Sequence, residues 1–147
     1  MHPYKAVLIN CMDPRLQGEN EIKIAAACGI NQGQYEVLDY AGPSLWMTNP
    51  HQTHHAETFW WEFEQVSLAV HRISLVIIVG HSNCGGFALK GAPTNPIDEK
   101  KTIINSLQSA RQVILAKHPD KEVKLVFVTV GADDGEGLPE IETEIIV

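Results

Sequence analysis

Two short stretches carry residues whose types can do chemistry together. Gly80-His81-Ser82-Asn83-Cys84-Gly85-Gly86 puts an imidazole and a thiol three positions apart, among glycines that permit unusual backbone angles and close approach. Both side chains are borderline-soft donors suited to Zn²⁺. Spacing alone is a weak signal, and a second thiol strengthens it: Cys11, in Cys11-Met12-Asp13-Pro14-Arg15, lies about 70 residues earlier. Pro14 biases Asp13 toward an extended conformation, in which residues two apart share a side, so Cys11 and Asp13 can face one site.

Three protein ligands leave a fourth tetrahedral position for water, whose pKa a bound zinc lowers from roughly 15.7 to about 7. Two thiolates donate more negative charge than histidines, which predicts a somewhat higher value here. Asp13 can hydrogen-bond the resulting hydroxide and aim its lone pair, or it can take the fourth position and close the site. Arg15, bidentate to the Asp13 carboxylate, decides between the two.

These residues need elements to hold them. Ala6 to Asn10 and Leu75 to Val79 are short aliphatic runs that each end at a Cys-bearing cluster, and they predict buried strands with chemistry at their carboxyl ends. Lys124 to Val130 and, more weakly, Tyr35 to Asp39 give two more strands. Helical periodicity marks Glu19 to Cys28, His55 to Arg72 with Phe59, Phe63, Val66 and Val70 on one stripe, and Asp98 to Lys117 with Ile103, Leu107, Ala110 and Ile114. Alternating strands and helices predict a single α/β domain over 1–147: a mostly parallel sheet of four to five strands, helices on both faces, right-handed crossovers and ligands beyond the strand ends. The tail alternates Ile141, Thr143, Ile145 and Val147 and is expected to be an edge strand or a subunit contact.

Composition narrows the partners. A net charge of −7 with Lys and Glu intermixed leaves no basic stripe for nucleic acid. The apolar run Ala6 to Ile9 is too short for a signal segment or membrane span, so the expectation is a soluble cytoplasmic protein with no membrane partner. Three scattered cysteines suit metal or catalytic use better than a disulfide framework.

Cys-x-Asp-x-Arg followed by Gly-His-x-x-Cys-Gly-Gly resembles the β-class carbonic anhydrases. The likeness spans Lys5 to Val130 in element order, while residue-by-residue agreement is confined to the two motifs and Ala41-Gly42. It implies zinc held by Cys11, His81 and Cys84, with Asp13 a fourth ligand in a closed state. It also implies an Asp13–Arg15 pair gating the fourth position, and reversible hydration of CO₂ to bicarbonate by zinc-bound hydroxide. A homodimer or higher homo-oligomer is the implied unit. Two departures stand out. Asp39-Tyr40-Ala41-Gly42 occupies the place of the family's common Arg-Asn-Ala-Gly, exchanging a basic residue near the pocket for an acidic one. The sequence also begins almost at the first strand, so dimerisation through N-terminal helices is expected to be unavailable.

Rival readings attach to the same residues. Asp39-Tyr40 motivates another small electrophile, such as carbon disulfide. A non-catalytic or redox-sensing zinc site would release metal on oxidation of Cys11 and Cys84. Cysteine nucleophile chemistry at Cys84 lacks the arginine after Gly86 that phosphate esters would need. A permanently closed zinc site has no use for Arg15 competing for its aspartate. Cys28, ending an alanine-rich helix, reads as a small buried hydrophobe. His51, His54 and His55 read as a solvated loop and helix start with Thr53 as N-cap, rather than a second metal site. Trp46, Trp60 and Trp61 read as core or interface aromatics.

Overall fold

The computed structural model describes residues 4–48 and 54–147. Two strands, β1 (Ala6–Cys11) and β3 (Leu75–His81), are buried along their whole length. Unbroken apolar runs such as AVLI and LVIIV can lie only where both faces of a sheet are covered, which puts these strands at its centre. They pair in parallel, Ala6 opposite Leu75 through Ile9 opposite Ile78. β2 (Tyr35–Tyr40) flanks β1 on the outer side, and β4 (Glu122–Val130) flanks β3, both parallel. β5 (Ile141–Ile146) closes the order β2-β1-β3-β4-β5 and runs antiparallel to β4, so the tail forms an edge strand, one of the two roles expected of it.

Helices cover both faces. Along β2, Tyr35 donates to Glu21 of α1 (Glu19–Ala27), while its neighbour Glu36 pairs with His71 and Tyr40 donates to Glu62 on the opposite side. Alternate strand residues point to opposite faces, so α1 lies on one side of the sheet and the segment around 62–71 on the other. α2 (Pro43–Thr48) and α3 (His54–Trp61) precede that segment, and the short α4 (Gly85–Leu89) follows β3. The long α5 (Pro96–Lys117) starts from Asn95, whose side chain accepts from the N–H groups of Ile97 and Asp98, with Pro96 at its first position. It buries Ile103, Leu107, Ala110 and Ile114, the stripe its sequence predicts. Ile103, Leu107 and Ile114 each contribute roughly 1.5–3 kcal/mol on burial.

The helix expected from His55 to Arg72 forms, with a change of pitch. After Trp61 the backbone continues as a π-helix over Glu62–Val70, and the His71 N–H bonds the Val66 carbonyl five residues back at 2.9 Å. A wider turn rotates the inward face, so burial passes through Phe59, Phe63 and Ser67. Val66 is only half-buried, and Val70 is 62 % exposed. Among the described residues, no helix is long and apolar enough to cross a membrane.

Candidate metal centre

The chain leaves β1 toward β2 on one side and reaches β3 on the other, so the carboxyl ends of β1 and β3 flank a crevice where the winding reverses. Open parallel sheets bind ligands at such points. Cys11 ends β1 and His81 ends β3. Cys84 follows His81 through a turn and caps α4. One donor atom from each of Cys11, His81 and Cys84 lies within 4.8 Å of the others, all three residues are buried, and no other such group occurs among the described residues.

The donor set fits a tetrahedral zinc on three counts. Sulfurs each roughly 2.3 Å from such an ion are roughly 3.8 Å apart, and Cys11 Sγ and Cys84 Sγ are separated by 4.0 Å. His81 Nδ1 lies 2.9 Å from the Ser82 carbonyl, to which it donates, leaving Nε2 with its lone pair free. That Nε2 is buried without any hydrogen-bond partner, a costly state unless a cation takes the lone pair.

Backbone amides prepare the sulfurs for negative charge. Gly42 N–H points at Cys11, and the Gly86 and Phe87 N–H groups, unbonded within α4, point at Cys84. The Cys84 hydrogen bond holds the Cys11 thiol down to about 4, and the same bond pushes Cys84 upward, so the two sulfurs are set to share one proton. A bound divalent cation would take that proton's place.

Glycines let the loops meet. A Cβ on Gly86 would sit 2.8 Å from the Ala41 carbonyl carbon and 3.0 Å from Gly42 N, and Gly42 has the left-handed φ of +59°. The Ser82 amide donates to Val128 O at 3.0 Å and its hydroxyl accepts from Val130 N–H at 2.9 Å, which pins the turn after His81 to β4.

Asp13 and Arg15 stand beside this cluster. Arg15 Nε donates to Asp13 Oδ1 at 3.0 Å and its terminal nitrogen to Oδ2 at 2.7 Å, the bidentate fork that the spacing predicts. Arg15 N–H adds a third bond to Oδ1 at 2.9 Å. These bonds hold the Asp13 carboxyl below the usual carboxylate range. The Asp13 carboxylate lies outside the Cys11, His81 and Cys84 group.

Two residues in the surroundings carry no motif. Gln17 donates to the Cys11 carbonyl at 2.9 Å and reaches Asp39 at 3.5 Å, which ties Asp39 to the Cys11 backbone. Glu99, 8 % exposed, accepts from the Asn83 N–H at 2.9 Å, inside the His-x-x-Cys loop. A Gln six residues from a ligand is uninformative in sequence, whereas Asn95-Pro96 does mark a helix start, where an acidic residue is expected.

Of the remaining candidates, Cys28 is buried and pushed up to about 11 by desolvation, as a core thiol should be. His51 and Thr53 lie outside the described residues. His54 is exposed, and His55 packs its ring 5.6 Å from that of Trp46. Trp60 sits in the core against Phe59 and Phe63, and Trp61 is 62 % exposed. A cavity of about 200 Å³ is lined by Asn83, Cys84, Thr94 and Glu99 among others, and one of about 250 Å³ by Met12, Asp39, Tyr40, Trp46 and His55.

Residues 1–133 match the model of the family described as "putative carbonic anhydrase". The fold is similar to that of a tetrameric β-carbonic anhydrase from the filamentous ascomycete Sordaria macrospora, with TM-score 0.59 and 13 % identity over 100 % of this chain and 84 % of that one. It is also similar to a β-carbonic anhydrase of Aspergillus fumigatus, with TM-score 0.52 and 16 % identity over 97 % and 76 % of the two chains. No curated protein sequence matches.

Proposed function

The chain belongs to the carbonic anhydrase family, and on that premise we propose that it catalyses the zinc-dependent, reversible hydration of CO₂ to bicarbonate. The observation that carries this reading is the buried Cys11, His81 and Cys84 cluster with an orphaned imidazole nitrogen, set beside an aspartate clamped by arginine. Cys11, His81 and Cys84 would hold the ion. Zinc bound there supplies the Lewis acidity that makes hydroxide available from water near neutral pH.

The protein's own groups do the rest. Arg15 keeps Asp13 ionised and directed away from the metal ligands. Asp13 accepts the nucleophile's proton in a hydrogen bond, which turns a lone pair toward the CO₂ carbon. Attack makes one C–O bond and shifts an electron pair to a CO₂ oxygen, and the proton released on regenerating the nucleophile leaves to buffer. Cavities of about 200 and 250 Å³ open on the two sides of this cluster and are large enough to admit CO₂.

The same reading makes the protein cytoplasmic, where free thiols stay reduced, and homo-oligomeric, like the tetrameric S. macrospora enzymes. A second reading is a redox-sensing zinc site, favoured by the 4.0 Å approach of Cys11 Sγ and Cys84 Sγ.

Stopped-flow CO₂ hydration by zinc-quantified protein, at about pH 7 and about pH 8.5 with Asp13→Ala as control, separates them. Zinc-dependent turnover that rises with pH and collapses in Asp13→Ala is expected. A full zinc complement with no hydration at either pH overturns the proposal, and a panel including carbon disulfide then tests other electrophiles.

A further inference from the structure

We propose that Glu99 is a positioning residue for the Asp13–Arg15 pair, acting through the peptide of Asn83; the inference rests on the catalytic reading of that pair. Glu99 lies in the first turn of α5, where the helix N-terminus favours a carboxylate. It is buried, and its Oε1 takes the Asn83 N–H at 2.9 Å. Asn83 sits between the two ligands His81 and Cys84 with φ of +54°, a left-handed conformation that asparagine tolerates but that needs holding. Its carbonyl in turn accepts from the Arg15 terminal nitrogen at 3.1 Å.

That bond matters because of what else holds the guanidinium. Among the described residues its other acceptors are the two oxygens of Asp13 itself. A fork bonded only to its own carboxylate could swing with it, two residues away on the same loop. The Asn83 carbonyl supplies a fixed point on a different loop, and Glu99 fixes that carbonyl by gripping the amide of the same residue. Helix α5 is thereby coupled to the orientation of Asp13 without touching it.

The coupling is read directly from the Arg15 Nε–H, which bonds Asp13 Oδ1. In zinc-loaded protein its hydrogen exchange is expected to be slow, and Glu99→Ala should speed it about tenfold or more. Glu99→Gln, whose amide oxygen can still accept the Asn83 N–H, should restore slow exchange. CO₂ hydration should follow the same order, with kcat falling about tenfold in Glu99→Ala while KM changes little, and recovering in Glu99→Gln. Exchange unchanged in Glu99→Ala, or equally fast in both variants, overturns the proposal. Should Glu99→Ala fail to fold, Glu99→Asp withdraws the carboxylate by one methylene and keeps its charge. Fast exchange there supports the coupling, and slow exchange overturns it. Wild-type protein inactive toward CO₂ would remove the catalytic reading, while the exchange rates would still decide the coupling.

Discussion

At Gly86 a hydrogen atom stands where any other residue would carry carbon, 2.8 Å from the Ala41 carbonyl. Backbone cannot yield there as a side-chain tip can, so Gly86→Ala should cost about 1–3 kcal/mol in chemical denaturation. It should also weaken zinc retention, because the amides aimed at Cys84 move with the loop. Cys28 offers a test at alkaline pH. Its thiol is pushed from 9.0 up to about 11 in the fold. Between those values the unfolded chain has lost the proton and the native chain keeps it. The contribution is therefore complete below about pH 9 and is lost as pH rises through about 11, with a slope of at most about 1.4 kcal/mol per pH unit. Cys28→Ala should flatten that part of the stability profile, and an unchanged alkaline slope would count against desolvation as its cause. Cys11, His81, Cys84, Asp13 and Arg15 were legible as candidates because few other arrangements use those residue types at that spacing. Gln17 and Glu99 were not, since what an amide or a carboxylate does depends on which loop folds against it.

Among the elements, β3 and α5 meet where Gly80 faces the helix. A Cβ on Gly80 would come 2.5 Å from Ile103 Cγ2 and 3.1 Å from Leu107 Cδ1. Gly80→Ala should destabilise by about 1–3 kcal/mol, and Ile103→Ala by about 2–5 kcal/mol through the cavity it leaves. The double variant should fall short of their sum by about 0.5–3 kcal/mol, because each change relieves the other. Strict additivity in denaturant titrations would show that the strand and helix do not pack as described. The two central strands and α5 could be read from sequence because burial on two faces and a fixed helical period leave plain patterns. The π-helix of Glu62–Val70 could not, since the 3.6-residue period presupposes the α-helical turn; Val70, inward on that period, points to water. α2 and α4, six and five residues long, are too short to show a period.

For the whole molecule, the candidate ligand Cys11 lies some 70 residues before His81 and Cys84, so a metal held by all three would stabilise the native state alone. Zinc in hundredfold excess over its Kd should add about 2.7 kcal/mol, which at this length is roughly 5–10 °C in Tm. Chelation should remove that increment, and Cys84→Ser should melt at one temperature with or without chelator. Equal melting of zinc-loaded and chelated wild type would argue that these three residues hold no ion. The mostly parallel sheet follows from the alternation of strands and helices, which is why it was foreseeable; the order β2-β1-β3-β4-β5 was not read from the sequence. The depth and walls of the crevice were not, because they depend on side chains brought together from β2, α3 and the loop before α5.

The pairing of Ala6 with Leu75 through Ile9 with Ile78 also makes the sheet a ruler. Neighbouring strands keep a spacing of about 4.8 Å through their hydrogen bonds, and a strand shifted by one residue would turn every side chain to the wrong face. Cys11 and His81 ride on the ends of two such strands, so the gap between them is calibrated by the backbone of the core. Were an ion held there, two of its three donors would be set by the sheet, and Cys84, on the turn that opens α4, would carry most of the adjustment to a different radius.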